Sequence, residues 1–252
     1  MHVFFALVKR ELLEHNSLWR VPVILLGLAI LVRLSLVFGN FATDINIPDQ
    51  LQLDETIDSI VDGALASGLR WMNSIIVITM FVVAVFYALN CLFTERQDQS
   101  VLFWRSLPVS DALTVASKLA VALVLVPIIM LLCQVVAAVI FLGFGGFEFL
   151  VTYFANSVPN LFKLVIWSLL PTVAWCVFCS EFASRNPFLL AIFVPIGVVI
   201  VDRLFFDGTV GNMLVINRAI GFSDYSIWPL LSGIALSAVF IFLAISKRRQ
   251  RI

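Results

Sequence analysis

The chain has 252 residues, of which 62% are hydrophobic and 13% charged, and its formal net charge is zero. Soluble domains are about 45–50% apolar and about 25% charged, so the composition excludes an ordinary soluble protein. A membrane β-barrel is also disfavoured. Its strands would alternate in hydrophobicity over about ten residues, whereas the apolar runs here are continuous and rich in Leu, Ile and Val.

The N-terminal segment has the pattern of an amphipathic helix. Its apolar stripe, spaced by about 3.6 residues, contains Phe5, Val8, Leu12 and Trp19, with His15 in the same stripe. Arg10, Glu11 and Glu14 lie away from the stripe. The pattern predicts a helix that lies in the membrane interface, with Pro22 in the first turn of the helix that then enters the bilayer. The alternative is that the first span simply starts early.

Six stretches are long and apolar enough to cross a bilayer, which takes about 20 residues. They are approximately Val21–Phe41, Trp71–Phe93, Val115–Leu142, Leu161–Cys179, Phe188–Phe205 and Ile227–Ile245. These stretches fill about half of the chain and leave no room for a separate soluble domain. The sequence therefore predicts one transmembrane domain over residues 1–252.

The charges are distributed unequally between the connections of these spans. With the N-terminus in the cytoplasm, the cytoplasmic segments receive Lys9, Arg10, Arg20, Arg96, Arg105, Lys118, Arg185, Lys247, Arg248, Arg249 and Arg251. The outer segments receive most of the acidic residues: Asp44, Asp49, Asp54, Glu55, Asp58, Asp62, Glu148, Asp207 and Asp224. Because Lys and Arg favour the cytoplasmic side, both termini are predicted to be cytoplasmic. A cleaved signal peptide is the competing reading, but Glu11 and Glu14 precede the first apolar run and argue against it.

Three outer connections carry further expectations. From Asp54 onward the apolar residues share one helical face, which predicts a short outer helix that leads through Gly68 into the second span. The connections that contain Phe144–Phe149 and Asp207–Asn212 are apolar and glycine-rich. Each is either a re-entrant segment or a surface loop.

The connector between the second and third apolar runs, residues 95–110, differs from a short polar turn. It opens with Glu95, Arg96 and Asp98, and it ends at Leu107-Pro108. Between them lies an apolar patch with a neighbouring charge, formed by Leu102, Phe103, Trp104 and Arg105. Charges that orient, an aromatic anchor and a helix-ending proline are typical of a segment that docks on a partner.

The sequence contains little that suggests chemistry of its own. It lacks the Gly-x-x-x-x-Gly-Lys-Ser/Thr motif that cradles nucleotide phosphates, and its two histidines, His2 and His15, lie near the N-terminus. Cys176 and Cys179 have a redox spacing, but within a span they are expected to serve packing. No basic patch interleaved with aromatics predicts binding to nucleic acid. We therefore expect no catalytic residues and no metal or cofactor site in this chain.

One group of charges falls in or beside the spans. Arg33 lies past the middle of the first span, and Asp202 and Arg203 lie near the outer end of the fifth. Charges within a membrane are costly and suggest a function with a partner of opposite sign, so these three residues form a candidate polar cluster. The alternative is that Arg33 extends to the outer headgroups and has only a structural role.

Taken together, the six spans, the interfacial helix and the connector resemble the membrane subunit of type-2 ATP-binding-cassette exporters. In that family a Glu-Arg or Glu-Lys pair ends the second span, and a short helix, a Leu-Pro-Val/Ile-Ser motif and a Lys follow. Here these positions are Glu95-Arg96, Leu107–Ser110 and Lys118. Gln99 departs from the Gly of many members, so the turn before the short helix is expected to differ.

The resemblance implies an all-α, polytopic permease of the cytoplasmic (inner) membrane, in which the connector forms a cytoplasmic coupling helix. It implies a separate cytoplasmic ATPase subunit that binds ATP and Mg²⁺, and two copies of each subunit, with membrane lipids around them. The transported substrate stays open. A membrane scaffold that docks a different cytoplasmic partner is the main alternative, and an intramembrane enzyme is disfavoured because no acid–base or nucleophile constellation is present.

Overall fold

The computed structural model describes residues 2–38, 53–98, 110–142, 146–183, 185–205, 208, 211 and 227–250. Every regular element among these residues is helical, which confirms the predicted all-α class. The helices are α1 (His2–Glu14), α2 (Ser17–Phe38), α3 (Leu53–Asn90), α4 (Phe93–Gln97), α5 (Asp111–Ala120), α6 (Val126–Leu142), α7 (Gly146–Leu164), α8 (Leu170–Phe182), α9 (Pro187–Phe205) and α10 (Ile227–Gln250).

Six helical stretches are long and apolar enough to cross a membrane, which confirms the predicted number. They are Ser17–Ser35, Ser67–Gln97, Asp111–Phe141, Val151–Phe182, Pro187–Phe205 and Leu230–Gln250. Each overlaps one of the apolar stretches read from the sequence. A helix is the expected conformation of such runs, because lipid offers no hydrogen-bond partner to the backbone and a helix satisfies its own N–H and C=O groups.

Two helices extend further than the sequence predicted. The short outer helix expected from Asp54 is not separate, because α3 runs without a break from Leu53 to Asn90. Residues 146–149 were expected in a loop but form the start of α7. Pro22 lies inside α2, which begins at Ser17, rather than in its first turn.

Two prolines within spans are accommodated by π-helical turns. The segment Val121–Leu125 joins α5 to α6 just before Pro127, and Val165–Leu169 joins α7 to α8 just before Pro171. A proline inside a helix has no N–H to donate, and its ring collides with the carbonyl four residues earlier. The wider π turn removes this collision, so the helical course continues through both positions.

The chain divides into two compact units, the first formed by residues 1–16, 81–127 and 159–252. Within it, α8 packs along α10 and against α9. The ring of Phe178 lies 5.5 Å from that of Trp175 and 5.4 Å from that of Phe240. The indole N–H of Trp175 donates to the carbonyl of Ala191 in α9. Aromatic packing therefore fixes the three helices to one another.

The second unit is formed by residues 17–80 and 128–158. Its described polar contacts centre on the hydroxyl of Tyr153. The Asn73 side-chain amide donates to this hydroxyl over 3.2 Å, and the hydroxyl donates to the carbonyl of Gln134 over 3.3 Å. These neutral groups satisfy one another within an apolar surrounding.

Candidate functional site: a buried charged cluster

The residues that precede the connector are anchored on α8. The break between α3 and α4 leaves the N–H groups of Leu92 and Phe93 without helical acceptors, and both donate to the hydroxyl of Ser180. The Arg96 guanidinium donates to the carbonyls of Ser180 and Ala183 at the end of α8. A cation at a helix C-terminus is favourable because the last carbonyls lack helical partners and carry negative partial charge.

The residues that follow the connector start a well-capped helix. The hydroxyl of Ser110 accepts from the N–H of Leu113, and Asp111 lies in the first turn of α5. This N-cap explains why a serine follows Leu107-Pro108-Val109, since the cap satisfies an N–H group that the helix itself leaves free. Lys118 lies in the last turn of the same helix.

Glu95 and Lys118 meet although the connector separates them. The ammonium nitrogen of Lys118 lies 3.0 Å from Oε1 of Glu95. Both residues are buried, with exposed fractions of 7% for Glu95 and 2% for Lys118. An ion pair therefore joins the start of the connector to α5, the helix that follows it.

The N-terminal helix joins this pair through Glu11. Its Oε1 lies 2.7 Å from the Lys118 ammonium, and its Oε2 accepts a hydrogen bond of 2.9 Å from the Tyr87 hydroxyl. The ring of His15 lies edge-on against that of Tyr87, and its Nε2 is 3.7 Å from the Glu11 carboxylate. Glu11 is 2% exposed, so this face of α1 packs against protein rather than water.

Two arginines complete the cluster. Arg10 donates to Oε1 of Glu95 over 2.8 Å and to Glu14 over 2.9 Å. Arg248, near the end of α10, donates to Oε2 of Glu95 over 3.2 Å and to Asp111 over 3.1 Å. The charged cluster is defined by Arg10, Glu11, Glu14, Glu95, Asp111, Lys118 and Arg248, and all its members belong to the first unit.

Four members of the cluster are buried, and their charges alternate in sign, which is what makes their burial tolerable: Glu11, Glu95, Lys118 and Arg248. Taking a single ion out of water costs several kcal/mol, and the cost is offset only when counter-ions and hydrogen bonds surround it. Glu95 is contacted by Arg10, Lys118 and Arg248. Such an arrangement holds the helices that contribute these charges in one relative position.

Arg10 in α1 and His15, the residue directly after α1, both have pKa values shifted by these surroundings. Burial alone would lower the pKa of Arg10, but its hydrogen bonds to Glu14 and Glu95 outweigh that effect and raise the pKa. Burial lowers the pKa of His15, and the positive charges of Lys118 and Arg10 add to this against the opposing effect of Glu11 and Glu14. His15 is therefore neutral at pH 7.

Glu95 and Arg96 were predicted to fix the orientation of the connector in coupling to an ATPase. In the structure the Glu95 carboxylate is enclosed by three cations and Arg96 caps α8, so both side chains hold the start of the connector. Their part in coupling stays a prediction. Asp98 is exposed at the C-cap of α4. Leu102, Phe103, Trp104, Arg105, Leu107 and Pro108 lie outside the described residues.

The second predicted group consists of Arg33, Asp202 and Arg203. Asp202 is 4% exposed, and its carboxylate accepts from the N–H of Gly211. A Cβ atom at position 211 would come within 3.1 Å of Asp202 Oδ2 and of Val199 Cα, so glycine allows the backbone at position 211 to approach α9 closely. Arg203 is exposed and Arg33 half-buried. The pairing of Arg33 with Asp202 stays a prediction.

Cys91, Cys133, Cys176 and Cys179 are buried free thiols. Among the described residues, no three or more His, Cys, Asp or Glu side chains are grouped so that they could hold a metal ion.

The sequence reading missed most of the cluster. It placed Arg10 and Glu11 away from the apolar stripe of the N-terminal helix without pairing them, and it gave no role to Tyr87, Asp111 or Ser180. The available signal was the position of single charges next to apolar runs, at Glu11, Lys118 and Arg248, although no pattern in the sequence pairs them. Comparison of the chain with family models, with curated proteins and with solved structures finds no match.

Proposed function

We propose that this chain is the transmembrane subunit of an ATP-driven exporter of the type-2 ATP-binding-cassette family, which forms the translocation path and couples to a separate cytoplasmic ATPase. The observation that carries the proposal is the Glu95–Lys118 ion pair. These are two of the positions on which the family resemblance rests: Glu95 opens the connector, and Lys118 lies in the last turn of α5, the helix that follows it. A segment that transmits force from a partner must be firmly attached to the membrane domain, and the Glu95–Lys118 ion pair supplies this attachment.

The cluster provides a route from the connector into the helices. Glu95 ends the second candidate span, Lys118 lies in the third, and Arg248 lies in the sixth. A displacement of the connector therefore acts on three spans and on α1 together. Energetically, the ATPase transmits work only if its ATP-bound and ATP-free states bind the connector differently.

The contacts of the chain ends support the proposed topology. Arg10 near the N-terminus and Arg248 in α10 both donate to Glu95, so both ends of the chain reach one cluster. An even number of crossings brings the two ends to the same side, as six spans do. The excess of Lys and Arg in these segments favours the cytoplasmic side and the inner membrane.

The proposed complex contains two copies of this permease and two ATPase subunits, which hold ATP and Mg²⁺. In it, α1 lies in the membrane interface and the connector supplies the coupling helix. The apolar patch of Leu102, Phe103, Trp104 and Leu107 is too short to span a membrane, and it would dock in a groove of the ATPase.

The test is the substitution Trp104→Ala in the tagged full-length chain. Truncation of an anchoring tryptophan costs on the order of 2–4 kcal/mol at an interface, so we expect normal insertion, much weaker ATPase co-purification and loss of substrate-stimulated ATP hydrolysis. Trp71→Ala is the matched control, because Trp71 is 74% exposed and lies outside the connector.

Three outcomes discriminate between the hypotheses. Normal ATPase recovery and hydrolysis with Trp104→Ala would refute the coupling role. Recovery of a stoichiometric partner that lacks a nucleotide-binding motif would favour the scaffold. Equal losses in the Trp104 and Trp71 variants would show that the effect is not specific to the connector.

A further inference from the structure

Helix α1 has two unlike faces. Leu7 and Glu11 are buried, and the helix packs against α5 and the π-helical turn Val121–Leu125. The opposite face is exposed and largely apolar: Phe5 is 66% and Leu13 69% exposed, with Lys9 exposed between them. A surface helix in water has the reverse arrangement, with its carboxylates outward and its large apolar side chains inward.

The position of α1 in the chain indicates which medium covers this outer face. With 13 residues, α1 is about 20 Å long, which is shorter than the roughly 30 Å hydrocarbon core. Only two residues separate the end of α1 from the first candidate span, which begins at Ser17. The helix is therefore held at the level of the lipid headgroups by the chain itself.

The chemistry of the outer face suits an anionic headgroup. Phe5 and Leu13 can enter the boundary between headgroups and acyl chains, while Lys9 extends its aliphatic stem along them and keeps its ammonium at the phosphate level. We infer that the face formed by Phe5, Lys9 and Leu13, here called the lipid face, binds anionic phospholipid.

A regulatory consequence follows, and this step rests on the proposed function. Glu11 on the opposite side of α1 is paired with Lys118, which is paired in turn with Glu95 at the base of the connector. A bilayer with anionic lipid that holds α1 in place therefore also holds Glu11 against the Lys118–Glu95 ion pair. Anionic lipid is therefore expected to stimulate the coupled ATPase.

The lipid arm of the test uses the full chain with Ala6→Cys, labelled with a fluorophore. Ala6 is exposed beside the lipid face, whereas the four native cysteines are buried. The protein is reconstituted in phosphatidylcholine vesicles that contain either spin-labelled phosphatidylglycerol or spin-labelled phosphatidylcholine. We expect stronger quenching by the anionic lipid, and a preference that falls about fivefold with Lys9→Gln. Lys163→Gln, at an exposed lysine of α7, is the matched control and should leave the preference unchanged.

Quenching by neither lipid would show that protein covers this face, as a second copy or another partner, and would overturn the inference. Equal quenching by both lipids, unaffected by Lys9→Gln, would overturn the preference for anionic headgroups.

The regulatory arm measures ATP hydrolysis of the reconstituted complex with and without phosphatidylglycerol. Hydrolysis that does not respond to this lipid would overturn the regulatory step while the binding result stands. If no ATPase co-purifies, the proposed function fails, and the quenching measurement still decides whether α1 binds anionic lipid.

Discussion

The two compact units bury polar groups of different kinds. The first unit buries full charges from α1, α4, α5 and α10, each enclosed by charges of opposite sign. The second unit satisfies neutral groups, through the hydroxyl of Tyr153, the amide of Asn73 and the carbonyl of Gln134. A neutral group that loses its partner costs little more than one hydrogen bond, whereas a stranded ion costs several kcal/mol. The charged cluster therefore specifies one arrangement of its helices much more strictly.

The largest expected effect comes from removing the central cation. Lys118→Met would leave Glu11 and Glu95 without the ammonium that bridges them, and we expect the free energy of unfolding in detergent to fall by about 3–5 kcal/mol. Lys9→Met, the same change at an exposed lysine of α1, should stay within about 0.5 kcal/mol of the unmodified chain. Similar stability of the two variants in denaturant titrations would show that the cluster does not hold the first unit together.

A Tyr→Phe substitution in each unit measures directly how much more a hydrogen bond to a charged group contributes to stability than one to a neutral group. Tyr87→Phe removes a hydroxyl that donates to the charged Glu11, and we expect a loss of about 1.5–3 kcal/mol. Tyr153→Phe removes a hydroxyl with neutral partners, and about 0.5–1.5 kcal/mol is expected. Both variants would be compared in one detergent by denaturant unfolding. A larger loss at Tyr153 than at Tyr87 would contradict the ranking of the two regions.

The smallest expected effect is the pH dependence of stability that His15 contributes. Since folding lowers the pKa of His15 from its ordinary value of 6.5, the unfolded chain binds more protons just below that pH. Stability from this group is complete above pH 6.5 and is lost as the pH falls through the lower pKa of the folded state. His15→Phe keeps an aromatic ring against Tyr87 and should remove this part of the pH dependence. The check is a series of Tm values between about pH 7.5 and 5.5. Parallel curves for the two proteins would refute the lowered pKa.

The sequence predicted the helical class and the number of spans well, for a physical reason. Hydropathy is a local property, and a run of about 20 apolar residues needs no knowledge of its neighbours to be recognised. The start of α7 was missed because its first residue is Gly146 and the sequence Gly145-Gly146 has the composition of a loop. Tertiary packing and the length of the helical run overrode that local preference.

The cluster was not predictable in the same way. Lys118 is 107 residues from Glu11, and Arg248 is 153 residues from Glu95. A single carboxylate in an amphipathic helix is normally interpreted as solvent-facing, and the sequence pattern placed Glu11 away from the apolar stripe. In the structure Glu11 is buried, because Lys118 supplies a buried cation at the matching position. By contrast, Ser110 as a helix N-cap follows from local capping chemistry, which the sequence shows directly.

The hydrogen bonds from Leu92 and Phe93 to Ser180 have a consequence for biosynthesis. These donors are translated well before their acceptor, since the Leu92 and Ser180 positions are 88 residues apart. The base of the connector therefore stays incomplete until α8 has been made, and its charges stay unbalanced until Arg248 arrives with α10. A chain interrupted before that point exposes unpaired ions near the bilayer, which gives quality-control machinery a physical mark by which to tell an unfinished subunit from a finished one.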